Sequence, residues 1–291
     1  MIFVSTGGTP ARSGADTAQD FLHHGIRAIE LSGGAAAPGL EASLVALRDE
    51  ATFQVHNYFP PPSDPFVLNL ASADREVHAR SMAHVRTAIR WASSVGQGVY
   101  SFHAGFRINP DVRELGRPIA KHPLRPRAEA LSAFGDAVLI LSAEARREGV
   151  RLLVENNVVS AANLATFGED PLLLSRPGEM AAFMSQMPTD VGLLLDVAHL
   201  KVSATSLGFD AVAAHALVLP WIRAYHLSDN DGLTDSNGAV TTDSWFWGVI
   251  DPGLDYYSLE VYGVSTAELA RQQAFTAARL AAAPVSHKMI S

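Results

Sequence analysis

Residues 192–199 read Gly192-Leu193-Leu194-Leu195-Asp196-Val197-Ala198-His199, a short aliphatic run that ends in an acid and is followed three residues later by a histidine. An apolar run without polar alternation is typical of a β-strand that is buried on both faces of a parallel sheet. An aspartate at the end of such a strand is costly to bury unless a partner, a metal ion or a substrate compensates its charge. The stretch therefore predicts a central strand that delivers Asp196 to a functional edge.

The same arrangement, a short apolar run before a helix-like segment, recurs along the chain. Besides residues 191–196, strand-like runs occupy residues 2–5, 27–31, 53–58, 98–103, 151–155, 222–226 and 257–260. The clear helix-like segments lie at residues 15–24, 40–49, 74–95, 126–148, 177–186, 210–219 and 266–282, and the helix after the seventh strand is the least defined. The chain thus contains eight predicted strand-then-helix units.

Alternating strands and helices imply a parallel sheet, and eight such units favour a closed (β/α)8 TIM barrel. An open doubly wound sheet is the alternative, but it usually carries a glycine-rich fingerprint after the first strand, for which Gly7-Gly8 alone is weak evidence. No linker or break in composition interrupts the pattern. We therefore predict that residues 1–291 form one α/β domain.

Composition narrows the classes of function. Of the 291 residues, 48% are hydrophobic, which is enough for a large core, and the formal charge of −8 disfavours a general nucleic-acid-binding surface. There is no cysteine, so any metal ligands must be carboxylates and imidazoles. No apolar stretch approaches the roughly 20 residues of a membrane span, and the first residues lack a basic, apolar leader. A cytoplasmic protein with no membrane contact is the expectation.

Six consecutive predicted strands place an imidazole or a carboxylate at their carboxyl ends. These residues are His56, His103, Glu155, Asp196, His226 and Glu260, and His199 follows closely after strand six. A lone histidine or glutamate at a strand end most often anchors a loop. Six of them on one rim instead favour an active site, because barrels assemble their active sites from the carboxyl ends of the strands.

Glu155, Asp196, His226 and Glu260 would bring three carboxylates to one imidazole. Carboxylates held together repel one another and take up protons unless a cation compensates them. An oxygen-rich set of this kind favours one divalent ion, Mn²⁺, Mg²⁺ or Co²⁺ before Zn²⁺. Such an ion can polarise a carbonyl and stabilise an enediolate, and Glu155 or Glu260 could then exchange protons with a substrate carbon.

The order His56, His103, Glu155, Asp196-x-x-His199, His226, Glu260 resembles the xylose isomerase-like TIM-barrel superfamily over nearly the whole chain. That superfamily includes sugar isomerases, 3-epimerases, inosose dehydratases and endonuclease IV. The resemblance implies that Glu155, Asp196, His226 and Glu260 hold one divalent ion. It further implies that Glu155 and Glu260 form the acid/base pair and that His199 contacts substrate oxygens. We expect His56 and His103 to face the substrate as well.

Two departures from the pattern keep other reactions open. The 3-epimerases usually carry an arginine about six residues after the strand-seven histidine, where this chain has Gly232. Endonuclease IV completes a three-zinc site with an Asp-x-His pair, whereas this chain has no histidine between His226 and His287. His56 and His103 do match zinc ligands of that enzyme, so a second metal ion stays open while DNA as a substrate is disfavoured.

Two loops are candidates for determining which substrate binds. The segment after His103 contains six of the 22 Lys and Arg residues, namely Arg107, Arg113, Arg117, Lys121, Arg125 and Arg127. The guanidinium fork suits phosphate and carboxylate, and we expect Arg107 among them to bind an anionic group of the substrate; a solvated or subunit-contacting loop is the alternative. In the second loop, Trp245-Phe246-Trp247 could form a lid, pack on a sugar, fill the core or contact a second copy of the chain.

Four functions follow from these patterns. The leading hypothesis is a metal-dependent isomerase or epimerase of carbohydrate metabolism that acts on a small polyhydroxylated carbonyl compound, phosphorylated or not. A dehydratase of a keto-polyol would use the same ion and the same bases. A zinc phosphodiesterase would add His56 and His103 as ligands, and a barrel without catalysis would serve binding or assembly. The number of bound metal ions would distinguish the phosphodiesterase and the non-catalytic barrel from the isomerase and the dehydratase. A homo-oligomer is compatible with all four functions.

Overall fold

Eight parallel strands close into one barrel in the computed structural model, which describes residues 1–114 and 117–283. The strands are β1 (Ile2–Ser5), β2 (Ala28–Leu31), β3 (Thr52–His56), β4 (Gly96–His103), β5 (Arg151–Glu155), β6 (Gly192–Asp196), β7 (Ile222–Leu227) and β8 (Tyr257–Leu259). Each strand pairs with the next in sequence, and β1 pairs with β8 through Phe3 and Ser258. The predicted closed (β/α)8 barrel is confirmed.

Helices surround the barrel. They are α1 (Gly14–His23), α2 (Leu40–Ala46), α3 (Arg75–Ser94), α4 (Arg127–Arg147), α5 (Ala161–Phe167), α6 (Pro177–Met184), α7 (Val197–Leu207), α8 (Ala211–Val218) and α9 (Thr266–Ala282). Several begin at side-chain caps, as at Ser13, Asp74 and Ser265, whose oxygens accept hydrogen bonds from backbone N–H groups of the first turn. None of the helices within the described residues is long and apolar enough to span a membrane.

Three helical segments differ from the sequence prediction, and one of them is the short helix α5 (Ala161–Phe167), which was not predicted. Helix α7 begins directly after β6, with Asp196 as its N-cap, and was not predicted because most of its residues are buried and it lacks a polar face. The helix predicted after the seventh strand is wrong. Between β7 and β8 the described chain has only a 3₁₀ turn, Trp245–Gly248, in a long loop that is held by local hydrogen bonds.

The barrel interior has an apolar lower layer and a polar upper layer. Phe3, Ala28, Leu153, Leu194, Ala224 and Tyr256 form a buried apolar cluster. Side chains alternate between the two faces of a strand, so the residue two positions further along points the same way. Two positions beyond Ala28, Leu153, Leu194 and Ala224 lie Glu30, Glu155, Asp196 and His226, and all four are fully buried. The sequence alternation therefore places these polar groups inside the barrel, directly above the apolar layer.

Candidate metal centre

Four side chains from the last four strands meet at the carboxyl end of the barrel. Glu155, Asp196, His226 and Glu260 each offer a ligand atom, and these atoms all lie within 4.8 Å of one another. Nδ1 of His226 lies 3.1 Å from Oε1 of Glu155 and 3.4 Å from Oε2 of Glu260. Asp196, Glu155 and His226 are fully buried, and Glu260 is nearly so. The structure thus brings together all four residues that the sequence nominated as metal ligands.

The hydrogen bonding of this cluster fits a divalent cation. Both carboxylate oxygens of Glu155, Oδ2 of Asp196 and Nδ1 of His226 are buried without a hydrogen-bond partner. The remaining Asp196 oxygen, Oδ1, accepts from the backbone N–H of His199 at 2.7 Å as the cap of α7. Buried polar atoms of native proteins are nearly always satisfied. Convergent lone pairs on the carboxylate oxygens, together with Nδ1 of His226 once it has lost its proton, are what a cation such as Mn²⁺ or Zn²⁺ would complete.

Glu260 is fixed from the other side. Its Oε1 accepts a hydrogen bond from the hydroxyl of Tyr262 at 2.9 Å and a longer one from Ser5 at 3.3 Å. Its Oε2 is left facing His226. Oε1 of Glu260 is therefore held by hydrogen bonds, and Oε2 faces the centre of the cluster.

His56 and His103 both lie beside Oε2 of Glu155. Nε2 of His56 and Nδ1 of His103 are each 3.4 Å from Oε2 of Glu155. Nδ1 of His56 is 2.9 Å from the hydroxyl of Ser101, which fixes the ring. His56, His103 and Glu155 form a second group whose ligand atoms lie within 4.8 Å of one another. Glu155 thus stands between two groups that could each hold a cation.

His199 lies at the edge of the cluster and is held by two acceptors. Nδ1 is 2.9 Å from the carbonyl oxygen of Asn156, and Nε2 is 3.2 Å from Oδ2 of Asp235. Asp235 belongs to the loop between β7 and β8, so that loop reaches over the site. The sequence prediction had no signal for this pairing, because nothing local distinguishes Asp235 from the other aspartates of the loop.

Glu30 is a buried member of the site that the sequence survey missed. Its Oε2 lies 3.0 Å from Nε2 of His226 and also accepts from the hydroxyl of Tyr256, while Oε1 has no partner. Glu30, His56 and His226 form a third group with ligand atoms within 4.8 Å. A signal was present, since Glu30 is the single charged residue of β2 (Ala28–Leu31). Glu30 lies inside β2 and not at its end, so it falls outside the strand-end pattern of strands three to eight.

The charges of the cluster shift its ionisation when no cation is bound. Burial would raise the pKa of Glu155, but the neighbouring imidazoles of His103, His226 and His56 outweigh it and hold that pKa well below its usual value. Burial also opposes ionisation of Glu260, yet His226 lowers its pKa to about 2. In contrast, burial, with the charges of Glu155 and Asp235, raises the pKa of Asp196 to about 7 against the opposing effect of His199. The two glutamates are therefore ionised near neutrality, and Asp196 is about half protonated there.

The histidines of the site also differ in the direction of their pKa shifts. Burial lowers the pKa of His103 to about 4, so its ring is neutral. For His199 burial works against the charged form, but Asp196, Asp235 and Glu155 raise its pKa well above the usual value. For His226 burial is likewise outweighed, by Glu30, Glu260 and Glu155, and the pKa is raised. Binding of a cation at Nδ1 of His226 must therefore release a proton.

Arg107 does not join the cluster through any of its hydrogen bonds. It is only 5% exposed. Its Nε donates to the carbonyl of Arg125 at 2.9 Å, and its Nη1 donates to the carbonyl of Asp170 at 2.8 Å and to Glu169 at 2.7 Å. The prediction that Arg107 binds an anionic substrate stays a prediction, and these contacts argue against it because they tie the guanidinium to neighbouring loops.

The loop between β7 and β8 packs into the molecule through its aromatic residues. Phe246 is fully buried, Trp247 lies edge-on to Phe275 of α9, and Nε1 of Trp245 donates to the carbonyl of Val197 at 3.3 Å. Gly232, at the position of the 3-epimerase arginine, has a φ of 77°. A β-carbon there would lie 3.0 Å from the hydroxyl oxygen of Thr205. The loop backbone is therefore shaped for glycine at this point.

The comparison with family models decides the membership of the chain. Residues 18–277 match the model described as xylose isomerase-like TIM barrel. The chain belongs to the xylose isomerase-like TIM-barrel family. The resemblance read from the strand-end residues is thereby confirmed, and it extends over most of the barrel. A comparison with curated proteins finds no match to the sequence.

Solved structures share the fold of this xylose isomerase-like barrel at low sequence identity. A D-tagatose 3-epimerase-like protein is 18% identical with a TM-score of 0.70, covering 97% of this chain and 99% of its own. The TTHB071 protein of Thermus thermophilus, soaked with ZnCl2, is 20% identical with a TM-score of 0.63, covering 98% and 99%. A xylose isomerase-like TIM-barrel protein of Mycobacterium smegmatis in complex with magnesium is 16% identical with a TM-score of 0.68, covering 96% of both chains. At these identities the likeness establishes the fold alone.

Proposed function

We propose that the protein is a divalent-metal-dependent isomerase or epimerase of a small sugar or keto-polyol. The observation that carries the proposal is the four-residue cluster of Glu155, Asp196, His226 and Glu260, whose buried lone pairs converge without hydrogen-bond partners. A bound divalent ion would polarise the oxygens of a hydroxy-carbonyl substrate and offset the negative charge that develops on them. Mn²⁺, Mg²⁺, Co²⁺ and Zn²⁺ are all compatible with these ligands.

Glu155 and Glu260 are suited to move the proton. Both are ionised, and each offers an oxygen to the same side of His226. In the proposed reaction one carboxylate removes a proton from the carbon next to the carbonyl, and the electron pair of that C–H bond passes into an enediolate. The other glutamate must enter this step as a carboxylic acid, after taking up a proton from solvent water, and it returns that proton to carbon, on the opposite face for an epimerase. The two glutamates exchange roles as base and acid in the reverse reaction.

His199 and His103 are proposed to contact the substrate's hydroxyl groups. The two N–H groups of the His199 imidazolium face the carbonyl of Asn156 and Oδ2 of Asp235, so Nε2 would donate to a substrate hydroxyl in place of Asp235. The neutral ring of His103 can donate with one nitrogen and accept with the other. The side chain of His103 is 28% exposed, whereas that of Glu155 beside it is fully buried. Hydroxyl-bearing substrates would therefore approach from the side of His103.

Names among the structural neighbours support the substrate class. They include an L-ribulose 3-epimerase, a D-psicose 3-epimerase bound to D-tagatose and a 3-keto-D-glucoside 4-epimerase. All three share the barrel at 16% identity or less. These activities belong to the neighbours and not to this chain, but each neighbour acts on a carbohydrate. A carbohydrate is also the class of substrate that the carboxylate pair and the proposed hydroxyl-binding histidines favour here.

Solvent deuterium exchange tests this proposal. The protein, loaded with Mn²⁺ and then cleared of excess ion, is incubated in D₂O with D-tagatose, D-psicose, D-fructose or L-ribulose, and the sugars are followed by NMR. We expect deuterium at the carbon next to the carbonyl in at least one ketose, with conversion to its isomer. Disappearance of the signal of a carbinol carbon from the same spectra, caused by elimination of water, would instead identify a dehydratase.

The matched variants are Glu155→Gln and Glu260→Gln, with Glu179→Gln as the control. Removal of either base is expected to slow exchange by about 10²-fold or more. Glu179 pairs with Arg127, outside the cluster, so its variant should exchange like the wild type. Exchange that survives in both Glu155→Gln and Glu260→Gln would exclude the proposed acid/base pair.

The group of His56, His103 and Glu155 favours a second candidate, a phosphodiesterase with two metal ions that share Glu155. Such a pair can clamp the attacking and leaving oxygens of a phosphodiester. Metal analysis separates the candidates. One ion per chain with ketose exchange supports the isomerase, whereas two zinc ions with hydrolysis of bis(p-nitrophenyl) phosphate would support the phosphodiesterase.

A further inference from the structure

We infer that Glu30 is a positioning residue for the candidate metal centre, holding His226 in the tautomer that presents Nδ1 to the cation. The inference rests on the proposed function, because it concerns the ion bound by Glu155, Asp196, His226 and Glu260. Nothing in the sequence pattern of strands three to eight points to Glu30, which comes from β2 on the far side of the barrel from β7.

The hydrogen bonds of His226 define its orientation. The ring is fully buried, with Nε2 at 3.0 Å from Oε2 of Glu30 and Nδ1 toward Glu155 and Glu260. An ionised carboxylate only accepts hydrogen bonds, so the contact with Glu30 places a hydrogen on Nε2. A neutral imidazole then has its lone pair on Nδ1, the atom that faces the other ligands. A histidine that ligates a metal almost always donates its other N–H to such a partner.

Glu30 is itself held from below by Tyr256. The hydroxyl of Tyr256 donates to Oε2, the same oxygen that accepts from His226. The ring of Tyr256 lies edge-on to Phe3, 5.3 Å between centroids, within the apolar lower layer of the barrel. Two donors on one oxygen use both of its lone pairs. The chain of contacts therefore runs from the packed apolar layer through Tyr256 and Glu30 to the imidazole.

A competing role is also open to these atoms, since Glu30, His56 and His226 could themselves hold an ion. That ion would need Nε2 of His226 without its hydrogen and would displace the contact at 3.0 Å. The two donors that converge on Oε2 favour the positioning role for that oxygen, whereas Oε1 has no partner and is the atom that a metal ion would use. A count of bound ions distinguishes the two roles.

The test measures metal affinity without relying on catalysis. Mn²⁺ and Co²⁺ are titrated calorimetrically into metal-free wild type, Glu30→Gln and the control Glu179→Gln. We expect Glu30→Gln to bind each ion about 10- to 100-fold more weakly, with one ion per chain in both proteins. The visible absorption bands of bound Co²⁺ should also shift, because the imidazole donates less electron density and is less firmly oriented. Glu179→Gln should match the wild type in affinity and spectrum.

A second pair of variants keeps the test informative if Glu30→Gln does not fold. Tyr256→Phe removes one donor to Glu30 and should weaken Mn²⁺ binding in the same direction but less. Its control, Tyr225→Phe, removes a buried hydroxyl that lies 2.8 Å from His215, away from the ligands, and should leave the affinity unchanged.

Three outcomes would overturn the inference. The first is a Glu30→Gln protein, or failing that a Tyr256→Phe protein, with wild-type affinity and an unchanged Co²⁺ spectrum; the proposed function would survive this result. The second is a wild type with two ions, one of which is lost in Glu30→Gln, which would make Glu30 a ligand. The third is a wild type that binds none of Mn²⁺, Co²⁺ and Zn²⁺, and only this result removes the proposed function as well.

Discussion

Asp196 combines three tasks in one side chain. It ends β6, caps α7 through Oδ1, and presents Oδ2 unpaired to the cluster. The first task was visible in the sequence, because an acid that ends an apolar run has few structural reasons to be there. The cap and the free oxygen depend on α7 starting without a loop, which the sequence did not reveal.

The ionisation of Asp196 predicts how metal binding depends on pH. Its pKa of about 7 means that the carboxyl must lose a proton before it can bind an ion near or below neutrality. We expect the affinity for Mn²⁺ to rise with pH, by about tenfold per unit below pH 7 for this proton alone. Calorimetry at pH 6, 6.5 and 7.5 in two buffers of different ionisation enthalpy would count the protons released.

Asp196→Asn is the matched variant for that measurement. It removes both a ligand charge and the proton, so the affinity should fall and its dependence on pH should become shallower. His226, whose pKa is raised, still releases a proton on binding, and some dependence should remain. Affinity that is independent of pH in the wild type would contradict the assigned ionisation.

The residues that sequence reasoning found and those it missed differ in what identifies them. His56, His103, Glu155, His226 and Glu260 each stand at the end of a recognisable strand, and the topology alone brings strand ends to one rim. Tyr262 lies only two residues from its partner Glu260, but no local pattern marks that hydrogen bond. Glu30 and Asp235 act through His226 and His199, which belong to distant parts of the chain. Pairings of this kind follow from the closed barrel and not from local pattern.

At the scale of elements, the strands were predicted more accurately than their connections. β1 and β5 begin and end at the predicted residues, because apolar strands flanked by polar turns have a clear pattern. Helix α7 is buried on most sides and gave no helical periodicity. The aromatic run Trp245-Phe246-Trp247 forms only one 3₁₀ turn, and it is fixed by packing of Phe246 into the core.

The loop after β4 is predicted to be stabilised by Arg107. Arg107→Gln would remove the donors to the carbonyls of Arg125 and Asp170 and the ion pair with Glu169. We expect the free energy of unfolding to fall by about 1–3 kcal/mol, since buried acceptors lose their partner. Urea unfolding followed by circular dichroism measures the change, and the affinity for Mn²⁺ should not move.

Arg113→Gln is the control in the same segment. The side chain of Arg113 is 89% exposed and pairs with Asp111, so its removal should change the free energy of unfolding by no more than about 0.5 kcal/mol. If Arg107→Gln were as stable as wild type but had lost affinity for an anionic ketose such as a ketose phosphate, Arg107 would be a substrate ligand instead.

At the scale of the whole molecule, the barrel collects acidic side chains that repel one another when no cation is present. Glu30, Glu155, Asp196 and Glu260 all lie within the barrel mouth and are nearly inaccessible to water. Imidazoles offset part of this charge, as the shifted pKa values of Glu155 and Glu260 indicate. A divalent ion that binds only the folded chain should therefore stabilise it appreciably.

Thermal unfolding measures this stabilisation. At a Mn²⁺ concentration 100 times the dissociation constant, binding adds about 2.7 kcal/mol, which corresponds to a rise in Tm of about 4–5 °C over the EDTA-treated protein. The double variant Glu155→Gln, Glu260→Gln lacks two ligands, and its Tm should be insensitive to Mn²⁺. An equal rise in both proteins would assign the effect to nonspecific ion binding.

The closed order of the strands has a consequence for how the protein matures. Each proposed ligand belongs to a different βα unit, so the four come together only when β5 to β8 have assembled. Bringing such distant segments together carries a loop-closure penalty that an early, isolated ligand pair could not offset. We therefore expect the proposed cation to enter a barrel that has already assembled, and not to start folding as zinc does in a small finger domain.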